Sequence, residues 1–438
     1  MPPEMKHKPQ YSVPDGDLNS EISAGYLKSP SDEISEFPET WWLRRGVSRI
    51  RVYDINLLRL FTGPLDTPLT SQRSSSFHIL SLSPATMTTP ARHTALKVLQ
   101  SGKIGPVSSR IPDLRPDEVL VHVRYVALNP FDAKSVDLSP SVGATVGCDF
   151  SGDVVATGSP TMLKPRIGDR VSGCVFGNNP DRLDNGAFAE YVAIPAELLF
   201  VIPKELSYEA AATLGVGLAT VGMALYLSLG LPLPGSSSPT NPSYVLVYGG
   251  STATGTLAIQ MLRRSGLTPI ATCSPHNFAL VKSLGATAAF DYKSPTCGAQ
   301  IREFTNGTLA YALDCITDTH SMAICYEGIG PTGGKYLSLD PFPIRGHTRR
   351  SVKPNWVLSL TMYNQPINWK RPFKRDARPK DREFAARWFQ IAQEFLDSGV
   401  IQSHPYQVRE AGWENMQCGL DSLLKGEVSG VKLVYPIS

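Results

Sequence analysis

The chain has 438 residues, 42% of them hydrophobic, enough for two or three domains with a real core, and its net charge of +3 is too small to argue for general nucleic-acid binding. Its seven cysteines (148, 174, 273, 297, 315, 325 and 418) are scattered with no C-x-x-C pair, which argues against a zinc ribbon or a disulfide framework and points to a reducing compartment, the cytoplasm. No run of about 18 apolar residues marks a membrane span.

Residues 1–90 differ in texture from the rest. The first 40 are polar and acidic, with Asp15, Asp17, Glu21, Asp32, Glu33, Glu36 and Glu39. That argues against a mitochondrial transit peptide, and no apolar core follows a basic start as in a signal peptide. Trp41 and Trp42 fall in a stretch without helical or strand period, and Ser71–Ser83 is serine-rich linker material. The segment reads as a disordered extension, or equally as a gene-model extension upstream of a start at Met87.

From Thr94 the pattern changes. Thr94–Gln100 reads as a strand, and Glu118–Ala127 (EVLVHVRYVA) alternates as a half-buried strand does. Short strands at Asp153–Ala156, Arg170–Gly173 and Ala189–Ile194 fill out a β-rich domain of barrel type over residues 91–216. Leu206–Leu229 is helical, and Leu231–Pro242 is a Pro/Ser-rich loop leading into a second fold, assigned to residues 217–370.

That second fold opens with SYVLVYGGSTATGTLAIQMLRRSG, residues 243–266. A buried strand (Tyr244–Val247), a glycine turn (Gly249–Gly255) and a helix (Thr256–Arg264) follow one another. A helix N-terminus after such a turn offers unpaired N–H groups to a pyrophosphate. The turn is not a strict G-x-G-x-x-G, since Thr252 and Ala253 stand at usual glycine positions; taken alone it fits a dinucleotide site or an ordinary βα turn. A second strand, Thr268–Thr272, ends in Cys273-Ser274-Pro275-His276-Asn277, with none of the carboxylates that bond a ribose 2′-hydroxyl. Ser274, His276 and Asn277 offer donors that suit a 2′-phosphate, so NADP(H) is the expected cofactor; the same residues also suit capping of a helix from Phe278. Helix Phe278–Leu284 and strands Ala288–Tyr292, Tyr311–Cys315 and Tyr336–Leu339 continue a doubly wound parallel sheet. Arg345–Arg382 is strongly basic. Glu383–Gly399 is a helix, and strand Val431–Tyr435 returns residues 371–438 to the β-rich domain.

The stretches Ala127-Leu128-Asn129-Pro130-Phe131-Asp132-Ala133-Lys134, Gly147-Cys148-Asp149-Phe150-Ser151-Gly152, Gly168-Asp169-Arg170-Val171 and Gly186-Ala187-Phe188-Ala189-Glu190-Tyr191 resemble the medium-chain dehydrogenase/reductase superfamily. The resemblance runs from about residue 92 to the end. It implies an α/β protein: a GroES-like β-barrel catalytic domain with an inserted Rossmann doubly wound parallel sheet. More narrowly, YGGSTATGT, ATCSPHNF, FDY, YALDCIT and GEVSGVKLVY are similar to the trans-acting enoyl reductases that serve fungal polyketide synthases, the lovastatin type included. The zinc members' ligands are absent: the first motif has no Cys, Gly147 is followed by Cys148-Asp149 rather than His-Glu, and the four close cysteines of a structural zinc lobe are missing. No metal is therefore expected, and hydride reduction of an activated C=C fits better than alcohol oxidation.

This resemblance implies a set of site residues. Lys134 and Thr220 are the catalytic candidates. Phe131, Asp132, Ala133, Lys134, Ser251, Thr252, Ala253, Thr254, Ser274, Pro275, His276, Asn277, Tyr292, Leu339, Asp340, Ser429 and Gly430 are expected at the cofactor. The family's neutral amide is replaced by an acid at Asp340. Ala219, Thr220, Val221, Gly222, Met223, Ala224, Leu225 and Tyr226, with Ser359, Leu360, Thr361, Met362 and Tyr363, are expected to line an acyl channel. The implied partner is the acyl-carrier domain of a separate polyketide synthase, or of a synthase–peptide synthetase hybrid, presenting a polyketide thioester to a monomeric enzyme, with no nucleic acid and no membrane involved. Two rivals remain: a free-standing NADPH quinone or alkenal reductase, and a non-catalytic NADPH-binding sensor or scaffold.

Overall fold

Two larger sheets organise the chain, one mostly antiparallel with a single parallel pairing and one wholly parallel built from short apolar strands. The computed structural model describes residues 90–162, 164–235 and 243–437. The readings of residues 1–89 and of residues 236–242 in the Pro/Ser-rich loop lie outside it.

The chain begins with the hairpin β1 (Arg92–Gln100) and β2 (Lys103–Arg110). Strand β3 (Glu118–Ala127) follows, then helix α1 (Pro130–Leu138). Pro130 at the first helical position lacks the N–H that would be orphaned there, and the Asp132 carboxylate accepts from the Asn129 N–H at 2.8 Å. Strands β4 (Asp149–Thr157), β5 (Arg170–Cys174), β6 (Tyr191–Pro195) and β7 (Leu199–Val201) come next.

The single long helix expected over Leu206–Leu229 is broken. Helix α2 (Tyr208–Ala211) and helix α3 (Gly215–Val221) are separated by a turn, and Gly222–Ser228 is π-helical. Gly222 packs closely on the Trp388 ring, where a Cβ would lie 2.2 Å from the indole. Tyr208–Ser228 is long and apolar enough by composition to cross a membrane, but 89% of that window is buried inside the protein.

The parallel sheet alternates as expected: β8 (Tyr244–Tyr248), α4 (Ala253–Arg264), β9 (Thr268–Cys273), α5 (Phe278–Ser283), β10 (Ala288–Asp291), α6 (Cys297–Phe304), β11 (Tyr311–Asp314), α7 (Thr319–Gly328), β12 (Gly334–Ser338) and β13 (Val352–Trp356). Strand order is β10-β9-β8-β11-β12-β13, every pairing parallel. Counted from its own first strand, that is 3-2-1-4-5-6, with the order reversing between β8 and β11. Helix α8 (Pro379–Asp397) packs against the broken helix, and its Trp388 indole donates to the Leu218 carbonyl at 2.7 Å.

Strand β14 (Tyr406–Val408), helix α9 (Trp413–Leu424) and strand β15 (Lys432–Pro436) close the chain. β15 pairs with β3 and completes a sheet of order β14-β15-β3-β4-β5-β7, with β6 also on β3. What fixes this return is a buried ion pair. The Lys432 ammonium meets the Asp149 carboxylate and donates to the Asn129 side-chain oxygen at 2.9 Å. Asp149 also accepts from the Asn129 side-chain amide at 2.9 Å and from the Val216 N–H at 2.6 Å. One carboxylate thus ties α1, β4, β15 and α3 together. Because removing one member of such a pair leaves a buried charge, Lys432→Ala is expected to lower unfolding free energy by about 3–5 kcal/mol, measured by chemical denaturation.

Candidate active site

The order reversal between β8 and β11 opens a crevice at the carboxyl ends of those strands, where open α/β sheets bind ligands. A cleft of about 620 Å³ lies there, walled by the turn after β8, the end of β9, Tyr292 and the segment before β15. Gly249 has φ +75°, and a Cβ on Gly255 would sit 2.4 Å from the Gly249 carbonyl oxygen. The turn therefore needs glycine at both places. Thr252 caps α4 by accepting from the Gly255 N–H at 3.0 Å. The N–H groups of Ser251, Ala253 and Thr254 are left without partners among the described residues at the start of a twelve-residue helix, an arrangement able to take an anion.

At the far end of this cleft, Ser274 and His276 line the wall after β9. His276 Nε2 lies 3.3 Å from the Ser429 hydroxyl, to which the Asn277 amide donates at 3.4 Å. No carboxylate stands at the end of β9. The cleft also takes in His404, Asp318, His320 and Ile316, which the sequence reading did not single out. His404 bonds Thr256 Oγ1 at 3.0 Å, and burial holds its pKa at about 3, so the ring is neutral.

A second cavity of about 390 Å³ adjoins the first, sharing Asn129, Pro130, Thr252, Ala253, Ile316 and Leu423 with it. Phe131, Lys134, Thr220, Thr254, Leu339, Asp340, Ser359 and Leu360 line it, with Cys148 and Cys174. Lys134, on α1, donates to the Asp340 carboxylate beyond β12 at 2.8 Å, a bridge between residues 206 apart in sequence. With the Lys134 side chain 41% exposed, such a pair contributes only about 0–1 kcal/mol; its effect is to fix where the ammonium points. The Thr220 hydroxyl lies 3.5 Å from that of Ser359. Burial pushes the Cys148 and Cys174 thiols well above the ordinary thiol range, so both are neutral.

Several expected positions lie elsewhere. Asp132 and Ala133 face the interior and do not line either cavity. Helix α1 turns Phe131 and Lys134 outward, and its period puts the two residues between them inward. Pro275 and Asn277 are one contact removed, with Asn277 reaching the cleft wall through Ser429. Of the acyl-channel set in the broken helix, Thr220 alone lines the described cavity. Ala219, Val221, Met223, Ala224, Leu225 and Tyr226 belong to the core, and Gly222 packs on Trp388. Thr361 and Met362 are buried, and Tyr363 donates to the Cys174 carbonyl from behind the cavity. The apolar residues cited for an acyl chain are here explained by packing.

Residues 115–204 match the family described as alcohol dehydrogenase GroES-like domain, and residues 253–337 match zinc-binding dehydrogenase. A trans-enoyl reductase of Emericella nidulans is 62% identical over 353 residues, covering 80% of this chain and 99% of that relative. A trans-enoyl reductase of Penicillium oxalicum is 53% identical over 358 residues, covering 80% and 98%. Among solved structures, the CurK enoyl reductase superimposes with a TM-score of 0.61 at 17% identity, over 79% of this chain and 99% of that one. The JamJ enoyl reductase gives 0.62 at 18%, over 79% and 100%. At such identities these structures establish the fold alone.

The zinc in one family description can be tested against the donors present. Among the described residues, no three His, Cys, Asp or Glu side chains are grouped to hold a metal ion. Cys148 and Cys174 face the second cavity, but the neighbouring Asp149 is already saturated by Lys432, Asn129 and Val216. A fixed ammonium therefore occupies the Asp149 carboxylate, no histidine among the described residues joins the two thiols, and the donor set does not fit zinc.

Asp132 stands out within this buried network. It is 1% exposed, and its second oxygen, Oδ1, has no hydrogen-bond partner among the described residues. Burial raises its pKa from 3.8 to about 7. A raised carboxyl favours the folded state fully below pH 4 and loses that contribution as pH rises to about 7. Asp132→Asn removes this titration and keeps an acceptor for the Asn129 N–H. Its stability relative to the parent is expected to rise between about pH 4 and 7, at up to roughly 1.4 kcal/mol per pH unit, then level off; denaturation at several pH values checks this.

Proposed function

We infer the function from one premise: the chain belongs to the trans-enoyl reductases, within the medium-chain dehydrogenase/reductase superfamily. It is a nicotinamide-dependent oxidoreductase that reduces the C=C bond of an enoyl group. The finer reading is that NADPH is the reductant and that the substrate is an α,β-unsaturated polyketide thioester carried by a separate polyketide synthase. The observation that carries it is the join of the two cavities, where unpartnered backbone N–H groups on one side meet Lys134, Thr220 and an apolar wall on the other.

The larger cleft suits NADPH: Ser251, Ala253 and Thr254 would hold the pyrophosphate, and Ser274, His276 and Ser429 the 2′-phosphate, with no carboxylate at the end of β9 to repel it. A nicotinamide held there would supply hydride to the β-carbon. Lys134, oriented by Asp340, stabilises the negative charge that develops on the thioester oxygen. Thr220 offers a second hydroxyl at the same cavity wall, and Phe131, Leu339 and Leu360 exclude water.

The basic stretch supports a carrier-borne substrate. Arg349 is spent on three backbone carbonyls, Arg375 stacks on Trp356, and Arg382 pairs with Glu197. Lys370, Arg371 and Lys374 are exposed with no acidic partner among the described residues. The Lys370 N–H bonds the Ser139 hydroxyl at the end of α1, and Phe373 shares a small recess with Lys134 and Asp340. An acidic carrier domain docked on these cations would bring its arm to the second cavity. The domain limits 91–216, 217–370 and 371–438 belong to this reading, as do a cytoplasmic location, favoured by seven unpaired cysteines, and a monomeric state, which rests on family resemblance alone.

The test follows NADPH absorbance with one enoyl group, tethered to a carrier domain or as a short soluble thioester, and with a quinone. Faster turnover on the tethered form is expected; preference for the quinone would place the protein among free-standing reductases, and cofactor binding without turnover would overturn the catalytic reading. Reversing Lys370, Arg371 and Lys374 to Glu is expected to raise KM for the tethered form at least tenfold, about 1.4 kcal/mol, and to leave the soluble thioester unchanged. Lys134→Ala is expected to lower kcat by about 10²-fold with NADPH affinity retained, read by steady-state kinetics and cofactor titration.

A further inference from the structure

Four non-glycine residues among those described have a left-handed backbone: Asn178, Asn306, Asn364 and Thr317, the last at φ +64°. Asparagine tolerates that region because its short side chain bonds locally; a β-branched residue does not. Thr317 therefore carries strain that its surroundings must hold. It follows Ile316, which lines both cavities.

What holds it is Asp314, the last residue of β11, which is fully buried. One oxygen of its carboxylate accepts from the N–H groups of Ile316 and Thr317, both at 2.9 Å. The other accepts from the Ser321 hydroxyl on α7 at 2.5 Å and from the Tyr336 hydroxyl on β12 at 2.8 Å. Donors from three segments thus fix one carboxylate, and that carboxylate fixes the kink.

The kink is tied in turn to the end of β12. The Leu339 N–H donates to the Asp314 carbonyl at 3.2 Å. The Thr317 hydroxyl donates to the same carbonyl and accepts from the Asp340 N–H, each at 3.4 Å. The Asp340 carbonyl accepts from the Ser338 hydroxyl at 2.7 Å. The Asp340 backbone is therefore held at both its N–H and its carbonyl, and its carboxylate holds Lys134 at 2.8 Å. A line of contacts runs from a buried carboxylate, through a strained threonine, to the ammonium at the second cavity.

We propose that Asp314 and Thr317 are positioning residues: their left-handed kink sets the Asp340 carboxylate, and thereby where Lys134 points in the second cavity. The inference rests on the role given to Lys134 above. The physical need is clear from the bridge itself. Lys134 is 41% exposed, on a long flexible stem, and a pair so exposed is weak. The direction of its ammonium is then only as well defined as the anchor of its partner. Strained backbone persists where the surroundings over-determine it, and it collects at sites where placement matters. A shift of about 1 Å in such a group costs on the order of 10²-fold in rate.

The test uses the full chain with NADPH and a soluble enoyl thioester. Thr317→Val keeps the shape and loses the hydroxyl; it is expected to lower kcat about fivefold, with KM for the thioester and NADPH affinity retained. Thr317→Ser keeps the hydroxyl and is expected to match the parent. In an Asp340→Ala background, Thr317→Val is expected to leave kcat unmoved, because the carboxylate it sets is gone, while its effect on Tm stays the same in both backgrounds. A second readout needs no turnover: acylation of Lys134 by an amine-reactive ester in the cofactor-free protein, followed by mass spectrometry. A loosened bridge exposes the amine, so Thr317→Val is expected to be labelled about threefold faster, Asp340→Ala at least as fast, and Thr317→Ser as the parent. Additive losses of kcat in the double variant would overturn the proposal, as would unchanged labelling in Thr317→Val. If Thr317→Val does not fold, Asp314→Asn, which keeps one oxygen for the two N–H groups, carries the same comparison. A parent that reduces no enoyl thioester overturns the enoyl reading, and the labelling rates then decide the positioning; an active parent with additive variants overturns the positioning alone.

Discussion

The buried pair of Asp149 and Lys432 is the constraint on which the site depends. Its two residues are 283 apart in sequence, and both are almost fully buried. Such a pair repays desolvation only when its remaining lone pairs and protons are satisfied. Here Asn129 bonds to both partners and the Val216 N–H completes the carboxylate. The pair thereby holds the start of α1, the start of α3 and the returning strand β15 at one point. Ser429 and Gly430 stand just before β15, so the cleft wall they form beside His276 is placed by the same contact.

Two kinds of electrostatics meet in the cavities. On the nucleotide side the charge is partial and fixed, supplied by backbone N–H groups at the start of α4, which cost nothing to orient when an anion arrives. On the other side the charge is a full one, the Lys134 ammonium, oriented by a carboxylate, Asp340, that follows the parallel sheet's β12. Between them lie two thiols that burial keeps neutral. A site arranged in this way favours negative charge near its mouth and keeps its interior unreactive toward an electrophile.

The departure from zinc chemistry has the same physical origin. A metal site needs several free donors converging on one point. In this chain the carboxylate beside Cys148 and Cys174 is filled by Lys432, a cation that the polypeptide itself supplies. A structural tie thus stands where a metal would need a free donor, and Lys134 is a cation lining the same cavity.

Local pattern sufficed to read the alternation of β8, α4 and β9, the glycine turn, and the missing carboxylate after β9, because neighbours in sequence govern periodicity, capping and turn geometry. The motif Asn129-Pro130-Phe131-Asp132-Ala133-Lys134 likewise marked one wall of the site. Which side chains of that motif face the cavity was decided by α1 packing on the sheet, which turned Lys134 outward and sealed Asp132 in. Met223 and Tyr226 are expected along an acyl channel; Trp388, more than 160 residues later, makes them core. The sequence by itself determined the alternation of the parallel sheet and the family. Only the tertiary structure decided the Lys134–Asp340 bridge, the Asp149–Lys432–Asn129 knot and the lone oxygen of Asp132, since each depends on burial and charge contributed by segments far apart in the chain.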